Sequence, residues 1–120
     1  MYGKDVWDNN GSFFTQEGAK HDQGKFLPFK GFMQQFPAAV LAVAALSEYG
    51  ANKYDWDNWK YVPDGAARYT EAMLRHLLEE ANEDRAVDAG SDLPHIIHTA
   101  WNAMARLELY MREEGEQLDG

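Results

Sequence analysis

Three of the four histidines, His76, His95 and His98, fall in the C-terminal half of the chain on two segments whose apolar residues recur with helical spacing. His76 and Glu79 are three residues apart, as are His95 and His98, so each pair stands on one face of its helix. Facing pairs of this kind are how helical bundles assemble inward-pointing metal sites from nitrogen and carboxylate ligands. The same residues suit two other chemistries. Imidazolium groups can hold phosphates directly, and His76 can act as a general acid or base. A polar seam, in which the histidines simply satisfy backbone and carboxylate partners, is the structural alternative.

The helices that must position these groups are two-sided. At about 100° per residue, His98, Thr99, Asn102 and Arg106 fall within about 60° of His95, while Ile96, Ala100, Ala103, Leu107 and Met111 gather elsewhere. In the preceding segment Tyr69, Met73, Leu74, Leu77, Leu78 and Ala81 form the apolar face. Arg68, Ala72, His76, Glu79 and Glu83 run down its flank. The expectation is that Ile96, Ala100, Ala103, Leu107, Met73 and Leu77 build a core with Val40 and Val43, and that His95 and Asn102 line a cleft.

Further candidates lie upstream. Arg68 and Arg75 carry guanidinium groups suited to bidentate phosphate binding or to pairing with a neighbouring acid, with Arg75 further toward solvent on the helical wheel. Glu48 ends an apolar segment on the side of Leu41, Ala44 and Ala45, so it is expected to face the interior, against a metal, an arginine or a tyrosine hydroxyl. Tyr54, Trp56, Trp59 and Tyr61 sit two to three residues apart. They either stack on a base, at about 1 to 3 kcal/mol each, or staple the loop to the core.

The elements read in order as an irregular arm over residues 1–30, a buried helix over 36–49 stopped by Gly50, and a long aromatic loop over 50–66. A helix capped by Asp64 follows over 65–84, then a final helix capped by Ser91 or Asp92, with Pro94 in its first turn, running to about Arg112. The tail from Glu113 is expected to fray. No repeat and no long alternating strand pattern is visible. The fold class is therefore all-α, a small bundle of three main helices forming one domain over residues 1–120.

Composition narrows the function. The formal charge of −9, with only eleven Lys and Arg, argues against binding duplex nucleic acid. A small anion remains compatible, because a few cations or one metal can reverse the sign of a pocket. Without cysteine, disulfides and thiolate metal sites are excluded, and a reducing cytoplasm is the expected compartment. The longest apolar run, Phe36 to Leu46, is well short of the roughly 20 residues that span a bilayer, and no secretory signal pattern follows Met1. No membrane partner is expected.

With these residues in hand, the chain resembles a phage-associated family described as dATP/dGTP diphosphohydrolase-like, loosely related to the all-α MazG nucleotide pyrophosphohydrolases. The resemblance is carried by Lys20-His21-Asp22-Gln23-Gly24-Lys25, Glu48-Tyr49-Gly50-Ala51-Asn52-Lys53-Tyr54, Asn58-Trp59, Arg68-Tyr69, Leu74-Arg75-His76-Leu77 and Leu93-Pro94-His95-Ile96-Ile97-His98-Thr99-Ala100-Trp101-Asn102, in order over about residues 20–110. It implies a phage-encoded protein of the host cytoplasm that handles purine nucleoside triphosphates, releasing a monophosphate and pyrophosphate.

MazG-type enzymes hold magnesium with Glu and Asp on two helices, whereas here the last helix presents His95 and His98 where carboxylates are expected. The implied cofactor is a divalent metal, magnesium or a transition metal, with ligands drawn from Glu48, His76, Glu79, His95 and His98. His76, Glu79 and His98 are the implied catalytic set. Lys25, Lys53 and Arg68 would neutralise the polyphosphate, Tyr54 or Trp59 would stack on the base, and Asn102 would line the site. The competing reading is a non-catalytic protein that sequesters a nucleotide, for example a host-defence signal. A homo-oligomer fits either, because a small chain with a fully apolar helix needs a partner subunit to finish its core.

Overall fold

A computed structural model describes residues 18–82 and 85–118 of the chain. The first part of the expected arm, together with Glu83 and the end of the tail, lies outside the described residues. The class is all-α: a π-helical turn over Phe29–Met33, α1 over Pro37–Lys53, a 3-10 turn over Asn58–Tyr61, α2 over Gly65–Glu80, and α3 over His95–Leu118. Between α2 and α3 lies a two-stranded antiparallel ladder, β1 (Val87–Asp88) and β2 (Leu93–Pro94), with Asp88 opposite Leu93.

Several boundaries differ from the sequence reading. α1 runs through Gly50, whose carbonyl accepts a hydrogen bond from the Tyr54 N–H at 3.0 Å. Gly50 keeps a negative φ, so it does not supply the left-handed stop that the sequence suggested. Asp64 precedes α2 in the left-handed region, φ 56°, and its side chain caps nothing. α3 begins only after Pro94. Its first N–H, that of His95, is bonded to the Ala86 carbonyl at 2.8 Å, so the hairpin satisfies the helix start without Ser91 or Asp92 as a cap. The short ladder, with only two residues per strand, is too brief to leave an alternating pattern in the sequence. α3 also continues through Leu118, past the fraying point expected at Glu113.

The larger correction concerns which face is buried. Ile96 is 60% exposed, Leu107 53% and Leu77 49%, and Ala100 and Ala103 are exposed as well, while Met73, Val40 and Val43 are half-buried. Helix α1 is not buried all round either, with Leu41 at 73%. Among the described residues the buried hydrophobic ones are Leu46 and Ala105, and they are joined by two polar ones, His95 and Asn102. α2 and α3 therefore pack through their polar stripes, in pairs that satisfy one another. The Thr99 hydroxyl donates to Glu80 Oε2 at 2.7 Å, and Arg106 Nε donates to the Thr70 hydroxyl at 2.7 Å. The helices approach closely at the far end, where a Cβ on Gly65 would stand 3.3 Å from the Tyr69 ring and 3.4 Å from Leu109.

Aromatic side chains lock α1 and the connecting loop onto this pair. Trp59, Tyr69 and Trp101 meet edge to face, with centroids 5.6 to 6.1 Å apart. The Tyr69 hydroxyl donates to the Trp59 carbonyl at 2.6 Å, and Trp101 Nε1 donates to the Ser47 hydroxyl at 2.9 Å. Trp101 thus joins three elements, and truncation removes ring contacts and leaves Ser47 without that donor. Trp101→Ala is expected to destabilise the fold by about 3 kcal/mol, the lower end for a tryptophan because the ring is only half-buried. Urea unfolding at fixed protein concentration measures it.

Candidate functional site

The three histidines converge. His76 lies in the C-terminal half of α2 and His95 and His98 on the first turn of α3, and antiparallel pairing brings them together beside the hairpin. The Nδ1 atoms of His76 and His95 are 2.7 Å apart. The His76 and His98 rings stack with centroids 4.2 Å apart and planes 15° from parallel. The hairpin adds a carboxylate: Asp88 Oδ2 accepts hydrogen bonds from the Ser91 N–H at 2.8 Å and the Ser91 hydroxyl at 2.9 Å. It also lies 3.6 Å from His98 Nε2. Ser91 Oγ is in turn 2.7 Å from His98 Nε2. Since that hydroxyl donates to Asp88, its oxygen is the acceptor for His98 Nε2–H, which assigns the tautomer.

Burial sets the charge of this cluster. Desolvation first, and then the neighbouring His98 and His95, hold the His76 imidazole below its ordinary value of 6.5. Desolvation likewise lowers His98, although Asp88 opposes it. Burial alone would raise Asp88, but the hydrogen bonds from Ser91 outweigh it and keep the carboxyl below the usual carboxylate value. At neutral pH the cluster is two neutral rings, His76 and His98, facing an ionised Asp88.

A cleft of about 1040 Å³ opens between the C-terminal half of α1, the loop with its 3-10 turn, α2 and α3. Tyr54, Trp59, Arg68 and Asn102, all singled out in the sequence, line it together, as do Arg75, Trp56 and Tyr61. Tyr54 and Tyr61 present exposed rings, 66% and 79%, whereas the Trp59 ring is held by Tyr69 and Trp101. Asn102 joins cleft and cluster: it lines the cleft, and its Nδ2 donates to the His98 carbonyl at 2.8 Å. Arg75 also lines the cleft, and its charge is felt by His76, the next residue on α2.

Other candidates stand apart. Lys53 lies over the Tyr49 and Tyr54 rings, 5.3 and 5.5 Å from their centroids, at the cleft's margin. Lys25 is exposed in a turn closed by its own N–H on Asp22, and it does not line the cleft. Glu48 is exposed on α1 and does not face the interior. Glu79 Oε1 pairs with Arg85 Nε at 3.2 Å, without a well-directed hydrogen bond. Sequence reasoning missed Asp88 and Ser91. Their spacing, an aspartate three residues before a serine in a glycine-containing stretch, is a turn signal, and nothing in it announces that the turn folds back onto His98.

The family model described as dATP/dGTP diphosphohydrolase, N-terminal, matches residues 15–119. No curated protein and no solved structure matches the chain.

The lowered histidine values make folding pH-dependent with a definite sign. Between the folded and unfolded values the unfolded chain binds more protons, so stability is level above pH 7 and falls as pH drops through about 6.5. Thermal melts in chelator from pH 7.5 to 5.5 are expected to show this loss. His76→Gln is expected to flatten the slope.

Proposed function

The chain belongs to the dATP/dGTP diphosphohydrolase N-terminal family, and from that premise we propose that the cleft binds a purine nucleoside triphosphate and that the protein acts as a pyrophosphohydrolase. The observation that carries this reading is the meeting of exposed aromatic rings and two guanidiniums in one cleft; the three imidazoles do not line it, His95 included, but Asn102 does, and it donates to the His98 carbonyl. Tyr54 stacks on the base, and Arg68 and Arg75 take the phosphates as bidentate donors. Water attacks the α-phosphorus, the bond to the pyrophosphate oxygen breaks, and a neutral imidazole of His76 or His98 accepts the water's proton. Glu79 contributes through its pairing with Arg85 on the flank of the cluster.

The test is incubation of the chain with a panel of purine and pyrimidine nucleotides, followed by chromatography of bound and free products. Monophosphate and pyrophosphate from a purine triphosphate support the reading. A tightly held nucleotide recovered intact replaces it with sequestration, and no binding at all overturns both. Arg68→Ala and Tyr54→Ala are each expected to weaken binding by about 1 to 3 kcal/mol without loss of fold, since both side chains are exposed. Calorimetric titration measures the change.

We further propose that the working form is a homo-oligomer. Leu74, Leu77 and Leu78 on α2 and Ile96, Leu107 and Met111 on α3 are large apolar side chains left in water on the faces turned away from the polar seam. Packing against a second copy would return them to an apolar surrounding. Sedimentation is expected to give a mass above that of one chain, and Leu107→Glu to shift it toward the monomer. A monomer at micromolar concentration would overturn this proposal.

A further inference from the structure

We propose that His76, Asp88 and His95 form a binding site for one divalent transition-metal ion of the zinc class. The inference goes beyond the nucleotide reading and does not depend on it. One donor atom from each of the three side chains lies within 4.8 Å of the other two. Two imidazole nitrogens and one carboxylate oxygen are a donor set that leaves a fourth position open, as catalytic zinc sites do. The nitrogens select against magnesium, which takes oxygen ligands and gives up its water reluctantly.

The geometry needs little adjustment. The two Nδ1 atoms now stand 2.7 Å apart, within hydrogen-bond distance. Around a tetrahedral ion with metal–nitrogen bonds of about 2.0 to 2.1 Å they would stand roughly 3.3 Å apart, a shift met by small ring rotations. On ion binding the ring that donates through Nδ1 carries its proton on Nε2 instead, since neutral imidazole is the ligating form. The outer partners are also built: Ser91 holds Asp88 by two hydrogen bonds. His98, bonded to Ser91 Oγ and stacked on His76, orients both a carboxylate and an imidazole donor. His98 is thus a positioning residue in this site. The Tyr49 hydroxyl, donating to the Gly90 carbonyl at 3.0 Å, ties the hairpin to α1.

The experiment uses the untagged full chain, stripped with chelator, dialysed, and kept free of nucleotide so that its outcome is independent of the cleft. Zinc is titrated by calorimetry and cobalt by visible absorption. Expected are one ion per chain, intense cobalt bands of a low-coordinate site, and no displacement by a large excess of magnesium. His95→Gln and Asp88→Asn should each weaken zinc binding by about 100-fold or more, and His98→Gln by about 10-fold. His21→Gln, in the exposed segment before α1, should leave it unchanged. Should the site variants fail to fold, imidazole nitrogen resonances of the unmodified protein decide: zinc is expected to move those of His76 and His95. Absence of zinc binding, affinity unchanged in both His95→Gln and Asp88→Asn, or a response confined to His21 would overturn the proposal.

Discussion

Much of the contact between α2 and α3 is made by imidazoles, hydroxyls, a carboxylate and a guanidinium, while Leu74, Leu77, Leu78 and Leu107 stay exposed, and the remaining architecture follows from that choice. Burying such groups is unfavourable unless each finds a partner, and removing one partner from a satisfied set costs more than the net worth of the bond. Here the partners are supplied across the seam. Thr99 meets Glu80, Arg106 meets Thr70, and His76 meets His95. A seam of this kind specifies register more sharply than leucines would, since sliding α2 along α3 by one turn would break every pair at once.

Because the polar stripes are spent on one another, the apolar stripes face outward. That arrangement is unfavourable for a lone chain in water, and it gives the exposed leucines a use only when something covers them. The aromatic residues serve differently. Trp59, Tyr69 and Trp101 combine large apolar surface with a polar edge, so they seal α1 and the loop to the helix pair while their N–H and O–H groups reach Ser47 and the Trp59 carbonyl. The rings not used in this way, those of Tyr54, Trp56 and Tyr61, stand open to the cleft.

The hairpin has an effect out of proportion to its length. It caps α3 through Ala86, carries Asp88 to the histidines, and is anchored to α1 by Tyr49. Asp92 turns the chain with φ 63°, a conformation that aspartate tolerates better than most residues. Two imidazoles, of His76 and His95, and the Asp88 carboxylate come within 4.8 Å of one another because of how this hairpin folds back.

Much of this protein is written locally. The all-α class, the existence of the three long helices and the gathering of His76, His95, His98 and Asn102 on shared stripes follow from residue spacing, because helical periodicity is a property of a single segment. The grouping of Tyr54, Trp59 and Arg68 was likewise legible, as a dense loop followed by a helix start. Periodicity divides a helix into two faces, however, and does not say which one meets its neighbour. That was decided only when α2 and α3 came together, through complementarity between side chains distant in sequence, and it placed Ile96, Leu77 and Leu107 outside and His95 and Asn102 inside. The entry of Asp88 and the departure of Glu48 from the site have the same cause. A carboxylate becomes part of a site by where its turn lands, which depends on the length and path of the connection rather than on any local pattern.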